Sequence, residues 1–174
     1  PLGSIALSGD IGSGKSTILM QFCKDLINSG TRKEDILIIN LEDPRFRQLN
    51  LELLNKIYDI YLTELNPDKK HYVVLDEVQS IEKWEKFARF LNENKRINVY
   101  VTGSSSKLLS SEYSTVLSGR HLDIKVSPLS FIEYLNFKGI DIKSELDMVA
   151  KMHQIKRAVS DYMKSGDVEY AEPN

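Results

Sequence analysis

Apolar positions along the chain follow two alternating periodicities. Ile5-Ala6-Leu7-Ser8, Ile36-Leu37-Ile38-Ile39, Tyr72-Val73-Val74-Leu75 and Val99-Tyr100-Val101 are short continuous runs, the pattern of strands buried on both faces. Leu122-Asp123-Ile124-Lys125-Val126 alternates instead, which predicts a half-exposed strand at a sheet edge. Between these runs lie stripes at helical spacing. Ile18, Leu19, Phe22, Leu26 and Ile27 predict a first helix, stopped by Asn28-Ser29-Gly30. Leu49, Leu53, Ile57, Ile60 and Tyr61 predict a second, opened by Asp43-Pro44 as cap and first turn and closed by Asn66-Pro67-Asp68. Ile81, Trp84, Phe87, Ala88 and Leu91 predict a third, with Trp84 as a core anchor. The serine-rich stretch from Ser104 to Ser118 reads as a capped surface helix, and after Pro128 the strands cease and Phe131 to Met163 is helical in pattern. Strand and helix in alternation predict a three-layer α/β/α sandwich around a parallel sheet with right-handed crossovers.

Composition narrows the class. At 174 residues, 41% hydrophobic and 28% charged, the chain is long enough for one domain with a full core. A net charge of −2 argues against a polybasic coat for nucleic acid or membrane. The single cysteine, Cys23, has no internal partner, and His71, His121 and His153 are too dispersed to form a metal cluster with it. With no signal peptide and no apolar run near the length of a membrane span, a cytoplasmic location is expected. Pro1–Ser4 reads as a cloning scar, and Glu169 to Asn174 completes no pattern. The expected organisation is therefore a core over 5–137 and a helical stub over 138–174 that begins a truncated C-terminal region.

Gly9-Asp10-Ile11-Gly12-Ser13-Gly14-Lys15-Ser16 fits Gly-x4-Gly-Lys-[Ser/Thr], the Walker A phosphate loop, in the confirming place between a predicted strand and a predicted helix. In such a loop the backbone N–H groups turn inward and the helix N-terminus adds its positive dipole. Gly9, Gly12, Ser13, Gly14, Lys15, Ser16 and Thr17 are the candidate nucleotide-binding residues. Lys15 would reach the β and γ phosphates, and the Ser16 hydroxyl would complete a Mg²⁺ shell. At the end of the third predicted strand stands Asp76-Glu77, which by itself reads equally as a solvated acidic turn. Beside a phosphate loop it reads as a Walker B pair, Asp76 holding Mg²⁺ through water and Glu77 orienting and deprotonating an attacking water. Thr102-Gly103-Ser104-Ser105 ends the fourth strand; Ser104 is the candidate polar sensor, Thr102 the second, and capping the next helix is the alternative role for Ser104. Arg120 follows the glycine that closes the predicted fourth helix, where it either satisfies helix carbonyls or acts on the nucleotide.

An adjacent catalytic glutamate resembles the ASCE division of P-loop proteins, which implies the sheet order 5-1-4-3-2. That order puts the alternating fifth strand at one edge and the unbroken second strand at the other, where some helix must cover it. In the similar AAA+ proteins the location of Arg120 carries the arginine finger, acting in cis or in trans across a homo-oligomer interface. Asn40-Leu41-Glu42-Asp43-Pro44-Arg45-Phe46, Leu75-Asp76-Glu77-Val78-Gln79, Val101-Thr102-Gly103-Ser104-Ser105-Ser106 and Gly119-Arg120 before Pro128-Leu129-Ser130-Phe131 together resemble prokaryotic AAA-type ATPases abundant in archaea. Those proteins usually join this domain to a C-terminal region with a restriction-nuclease-like fold. The resemblance runs from about Ile5 to Phe137. It departs at Ile11, where the family commonly has a basic residue; the resemblance also implies an upstream segment that helps hold adenine and a C-terminal partner domain, both expected to lie beyond this sequence. Glu42 and Arg45 are open to family-specific roles, whereas helix capping accounts for Asp43-Pro44.

The expected function is Mg²⁺-dependent ATP binding and hydrolysis, with Glu77, Lys15, Ser104 and Arg120 catalytic and Ser16 and Asp76 on the metal. No guanine-reading Asn-Lys-x-Asp motif is present, so ATP is the expected nucleotide. One alternative is a nucleotide-sensing assembly switch with negligible turnover. Another is a small-molecule kinase, which would need an arginine-bearing lid and an acceptor pocket. Nucleic acid enters only through the family resemblance, since Lys69-Lys70 and Lys95-Arg96 are small basic groups, and no membrane partner is expected.

Overall fold

A computed structural model describes residues 4–65, 67, 70–94, 96–104 and 121–165. Its five strands, β1 (Ser4–Ser8), β2 (Ile36–Asn40), β3 (His71–Asp76), β4 (Ile97–Gly103) and β5 (His121–Lys125), form one parallel sheet in the order β2-β3-β4-β1-β5. This is the expected order, read from the other edge. The register sets Asn40 beside Asp76 and Ser8 beside both Gly103 and Lys125. The carboxyl ends of the strands thus form one rim, where ligands bind in open α/β sheets.

Alternate residues of each strand serve the two faces. On one face Ala6, Ile39, Val73, Leu75, Ile97, Val99 and Val101 pack with Leu54, Tyr58 and Tyr61 of α2 (Leu51–Glu64) and Trp84, Phe87, Ala88 and Leu91 of α3 (Trp84–Glu93). Burying each such aliphatic side chain contributes about 1.5–3 kcal/mol, so this face dominates the stability of the sheet. On the other face Leu7 and Val74 meet Leu19 and Cys23 of α1 (Lys15–Asn28), with Phe22 against Tyr100 at 4.7 Å between ring centroids. Burial pushes the Cys23 thiol above its ordinary value, so Cys23 serves as a small core residue rather than a thiolate.

Several expected details differ. In α1 the buried stripe is Leu19 and Cys23, one turn apart, and Ile18 and Ile27 are exposed. In α2 the expected Tyr61 is buried together with Leu54 and Tyr58, Leu49 ahead of the helix and Ile57 are half-buried against the same core, and Ile60 is exposed. Polar tips decide that burial: Tyr58 Oη pairs with His71 Nε2 at 2.9 Å and Tyr61 Oη donates to the Glu34 carbonyl at 2.8 Å, so both rings enter the core satisfied. The helix opens at Asn50, whose Oδ1 accepts the Leu53 N–H at 2.9 Å, not at Asp43-Pro44. Asp43 instead closes a turn of its own by accepting the Arg45 N–H at 2.9 Å. Asn50→Ala should cost about 1 kcal/mol and lower the melting midpoint by about 2–4 °C, measured by thermal unfolding. β5 is an edge strand as expected, but its apolar side chains Leu122 and Ile124 are 49% and 42% exposed. β2, the other edge, buries Ile39 beneath α2 and α3 and leaves Ile38 exposed on the face that α1 serves. The predicted helix after Ser104, and Arg120 with it, lie outside the described residues.

Residue contacts divide the chain into Pro1–Gly9 with Lys15–Val126, and Asp10–Gly14 with Ser127–Asn174. The second unit holds α4 (Phe131–Phe137), α5 (Glu145–Ala150) and α6 (Met152–Ser165), around a small core of Tyr134, Leu135 and Ala158. The predicted helical stretch is thus three helices. A reciprocal capping box between Ser130 and Glu133 starts α4, and Tyr162 Oη donates to the Leu129 carbonyl at 2.6 Å. Among the described residues no helix is long and apolar enough to cross a membrane.

Candidate functional site

At the rim of the sheet, contacts among the start of α1, the end of β3 with its following turn, and the end of β4 bring together Lys15, Ser16, Asp76, Glu77 and Ser104. Asp76 ends β3, buried, and its Oδ1 accepts from Ser16 Oγ at 3.0 Å and from the Thr102 hydroxyl of β4. Its carbonyl accepts the Leu41 N–H at 2.9 Å, fixing the strand end against the residue after β2. The chain then turns sharply: Glu77 has φ +58° and ψ +55°, a left-handed conformation that costs a non-glycine residue about 1–3 kcal/mol. Thr102 steadies this turn, since its Oγ1 accepts the Glu77 N–H at 2.9 Å while its hydroxyl proton goes to Asp76. One fully buried threonine therefore joins both acidic residues to β4.

The Glu77 carboxylate has a partner on each oxygen. Oε2 accepts from Gln79 Nε2 at 2.5 Å, and Oε1 lies 3.9 Å from Lys15 Nζ. Lys15 opens α1 and is only 4% exposed, so its ammonium requires a nearby opposite charge to offset lost hydration. Gln79 Oε1 in turn accepts the Ser104 N–H at 3.4 Å. Ser104 thus joins the cluster through its main chain. Gln79 carried no signal as a site residue beyond its place in Leu75-Asp76-Glu77-Val78-Gln79, where the short 3-10 turn Val78–Ser80 folds it back toward Glu77.

The Asp10–Gly14 connection from β1 to α1 has the conformation that its glycines permit. Gly12 and Gly14 have φ of +78° and +91°; a Cβ on Gly14 would meet nothing within 4 Å, so the backbone angle alone demands glycine there. Ser13 donates its N–H to the Asp10 carbonyl at 3.2 Å, and its buried Oγ has no hydrogen-bond partner among the described residues. Ile11 is 75% exposed, Gly9 is buried at the end of β1, and Thr17 is exposed on α1.

These donors fit the groups that the sequence pattern implies. A buried, unpartnered hydroxyl in a glycine-shaped loop suits an oxyanion, which would satisfy it. Ser16 Oγ and Asp76 Oδ1 are hard oxygen donors within hydrogen-bond distance of each other, a set suited to Mg²⁺. Among the described residues no group of three or more His, Cys, Asp or Glu could hold a metal. An ion on this pair would therefore draw its remaining ligands from water and phosphate, as Mg²⁺ commonly does.

Beyond the rim, Arg45 grips Asp43 with Nε at 2.9 Å and Nη2 at 2.5 Å, and the guanidinium holds the Asp43 carboxyl down to about 2. Because the folded value is depressed, the pair stabilises the turn above the ordinary aspartate range and is lost as pH falls toward 2. Carboxyl-detected NMR should find Asp43 still ionised at pH 3 and, in Arg45→Gln, raised toward but still below the ordinary value of about 3.9, because the main-chain N–H of residue 45 still donates to it.

Comparison with known proteins gives the family. Residues 3–135 match the AAA domain family. The uncharacterized protein MJ1544 of Methanocaldococcus jannaschii is 38% identical over 134 residues, covering 77% of this chain and 29% of that protein. An uncharacterized protein of Haemophilus influenzae is 34% identical over 162 residues, covering 92% of this chain and 38% of its own length. The chain thus spans less than two-fifths of either relative. Among solved structures, Cdc6p from Pyrobaculum aerophilum aligns over 78% of this chain and 41% of its own at 16% identity, with a TM-score of 0.54. A DNA polymerase III gamma subunit-related protein from Thermotoga maritima aligns over 93% of this chain and 56% of its own at 15% identity, with a TM-score of 0.52. At these identities the two structures speak for the fold alone, whereas the family match spans the whole sheet: the chain belongs to the AAA domain family.

Proposed function

We propose that this domain binds ATP with Mg²⁺ and hydrolyses it by directing a water at the γ phosphate. The observation that carries the reading is the pairing of Glu77 with Lys15 at 3.9 Å, beside an Asp76 already bonded to Ser16. A base, a phosphate-seeking cation and an oxygen pair for a metal are then on adjoining residues. Lys15 carries the positive charge for the β and γ phosphates, and the N–H groups of Gly12, Ser13, Gly14, Ser16 and Thr17 serve as oxyanion donors behind Gly9. Ser16 and Asp76 would hold Mg²⁺, which when bound neutralises charge on the phosphates. Glu77 orients the water and takes its proton on a carboxylate oxygen as the new P–O bond forms and ADP leaves. Ser104 positions that water, and Thr102 keeps Asp76 and Glu77 in register. Arg120 stabilises charge on the transferring phosphoryl group, in cis or from a second copy, a role carried by family resemblance.

Two assays test this together: titration with a fluorescent ATP analogue, and phosphate release from Mg-ATP. Binding with turnover supports hydrolysis. Binding without turnover, accompanied by a change in sedimentation with a non-hydrolysable analogue, would favour an assembly switch instead.

A further inference from the structure

The short bond from Gln79 to Glu77 has a second half that gives it direction. The Gln79 amide lies between a carboxylate, which can only accept, and the Ser104 N–H, which can only donate; this forces Nε2 toward Glu77 and Oε1 toward β4. The amide therefore forms a rigid two-ended tie from the carboxyl end of β4 to one oxygen of the proposed base. The other oxygen lies 3.9 Å from the buried Lys15 ammonium, which attracts the carboxylate. A glutamate with free side-chain torsions beside such a cation would swing toward it, off the line on which it must hold a water.

We propose that Gln79 is a positioning residue: it holds the Glu77 carboxylate in line from β4 against the pull of Lys15, so that the base stays directed at the attacking water. The inference rests on the hydrolytic reading above. Gln79 does not touch substrate in this role; it acts through Glu77. Gln79→Ala removes the tie. Gln79→Glu keeps the shape and the acceptor for Ser104, but sets a second carboxylate against Glu77.

The test compares wild type, Gln79→Ala, Gln79→Glu and Glu77→Gln in phosphate release, KM for Mg-ATP, affinity for a fluorescent ATP analogue and melting temperature. In both Gln79 variants kcat should fall about 10- to 100-fold, as for a misplaced reacting group. The fall should be larger in Gln79→Glu, while KM, nucleotide affinity and melting stay within about two- to threefold or a few degrees of wild type. If Gln79→Ala and Gln79→Glu turn over like wild type while Glu77→Gln does not, positioning by Gln79 is overturned and the proposed function stands. If both variants lose nucleotide affinity or melt far below wild type, Gln79 is a structural residue and the inference is likewise overturned. An inert wild type, or an active Glu77→Gln, overturns the proposed function and this inference with it.

Discussion

Glu77→Gln is expected to lower phosphate release by about 10²- to 10⁴-fold while nucleotide binding is kept or tightened. The substitution is isosteric and keeps an oxygen to accept from Gln79 Nε2, so the left-handed turn at Glu77 and its bond to Thr102 should persist. What disappears is the group that takes a proton. The negative charge 3.9 Å from Lys15 disappears as well, and that charge competes with phosphate for the same ammonium. A loss of turnover caused by unfolding would weaken binding; loss of the base leaves affinity equal or higher. Phosphate release together with fluorescent-nucleotide titration separates these outcomes, and undiminished hydrolysis in the variant would remove Glu77 as the base.

Lys15→Met should act in the opposite sense, abolishing binding first. Its stem lies in the buried opening turn of α1, and methionine preserves the apolar part of that packing. Removing one partner of a buried charge pair costs about 2–5 kcal/mol, which corresponds to about a 30- to several-thousand-fold loss of nucleotide affinity. The variant also leaves the Glu77 carboxylate without its cation, so added phosphate meets net repulsion. Isothermal titration with Mg-ATP measures the loss, and a melting curve verifies that the sheet remains. Affinity within threefold of wild type would contradict phosphate binding by Lys15.

The parts of the molecule that were legible in the chain are those where pattern and burial are the same thing. The four continuous runs and the one alternating run became β1 to β5 because a parallel sheet covered on both faces leaves no other place for them. The helix α3 buries Trp84, Phe87, Ala88 and Leu91 as its stripe requires, while Ile81, also buried, lies ahead of the helix in extended backbone. Where two residues satisfied the same local rule, polar contacts that the apolar pattern does not show decided between them. Asn50 and Asp43 are equally good caps; Arg45 engages Asp43 in a turn of its own, and Asn50 opens α2. In α2 the expected Tyr61 is buried with its hydroxyl on the Glu34 carbonyl, and Tyr58, off the expected stripe, is buried because its hydroxyl meets His71.

The site shows the same division. Lys15, Ser16, Asp76 and Glu77 announce themselves by motif, because phosphate loops and acidic strand ends need fixed spacing. Ser104 and Thr102 are both small hydroxyl residues at one strand end, and which of them faces Asp76 depends on the register of β4 beside β1 and β3. That register gives the side-chain bonds to Thr102 and a main-chain bond to Ser104. Gln79 had no local signal, since a glutamine after an acidic pair is indistinguishable from a solvated turn residue until the 3-10 turn carries it back to Glu77.

The most direct measurement is hydrolysis of Mg-ATP in oxygen-18 water, followed by mass spectrometry of the released phosphate. Catalytic turnover that places one labelled oxygen in inorganic phosphate, lost in Glu77→Gln, is the predicted result. No phosphate release despite bound ATP, or recovery of the γ-phosphoryl group on an organic hydroxyl, would contradict hydrolysis by a Glu77-directed water.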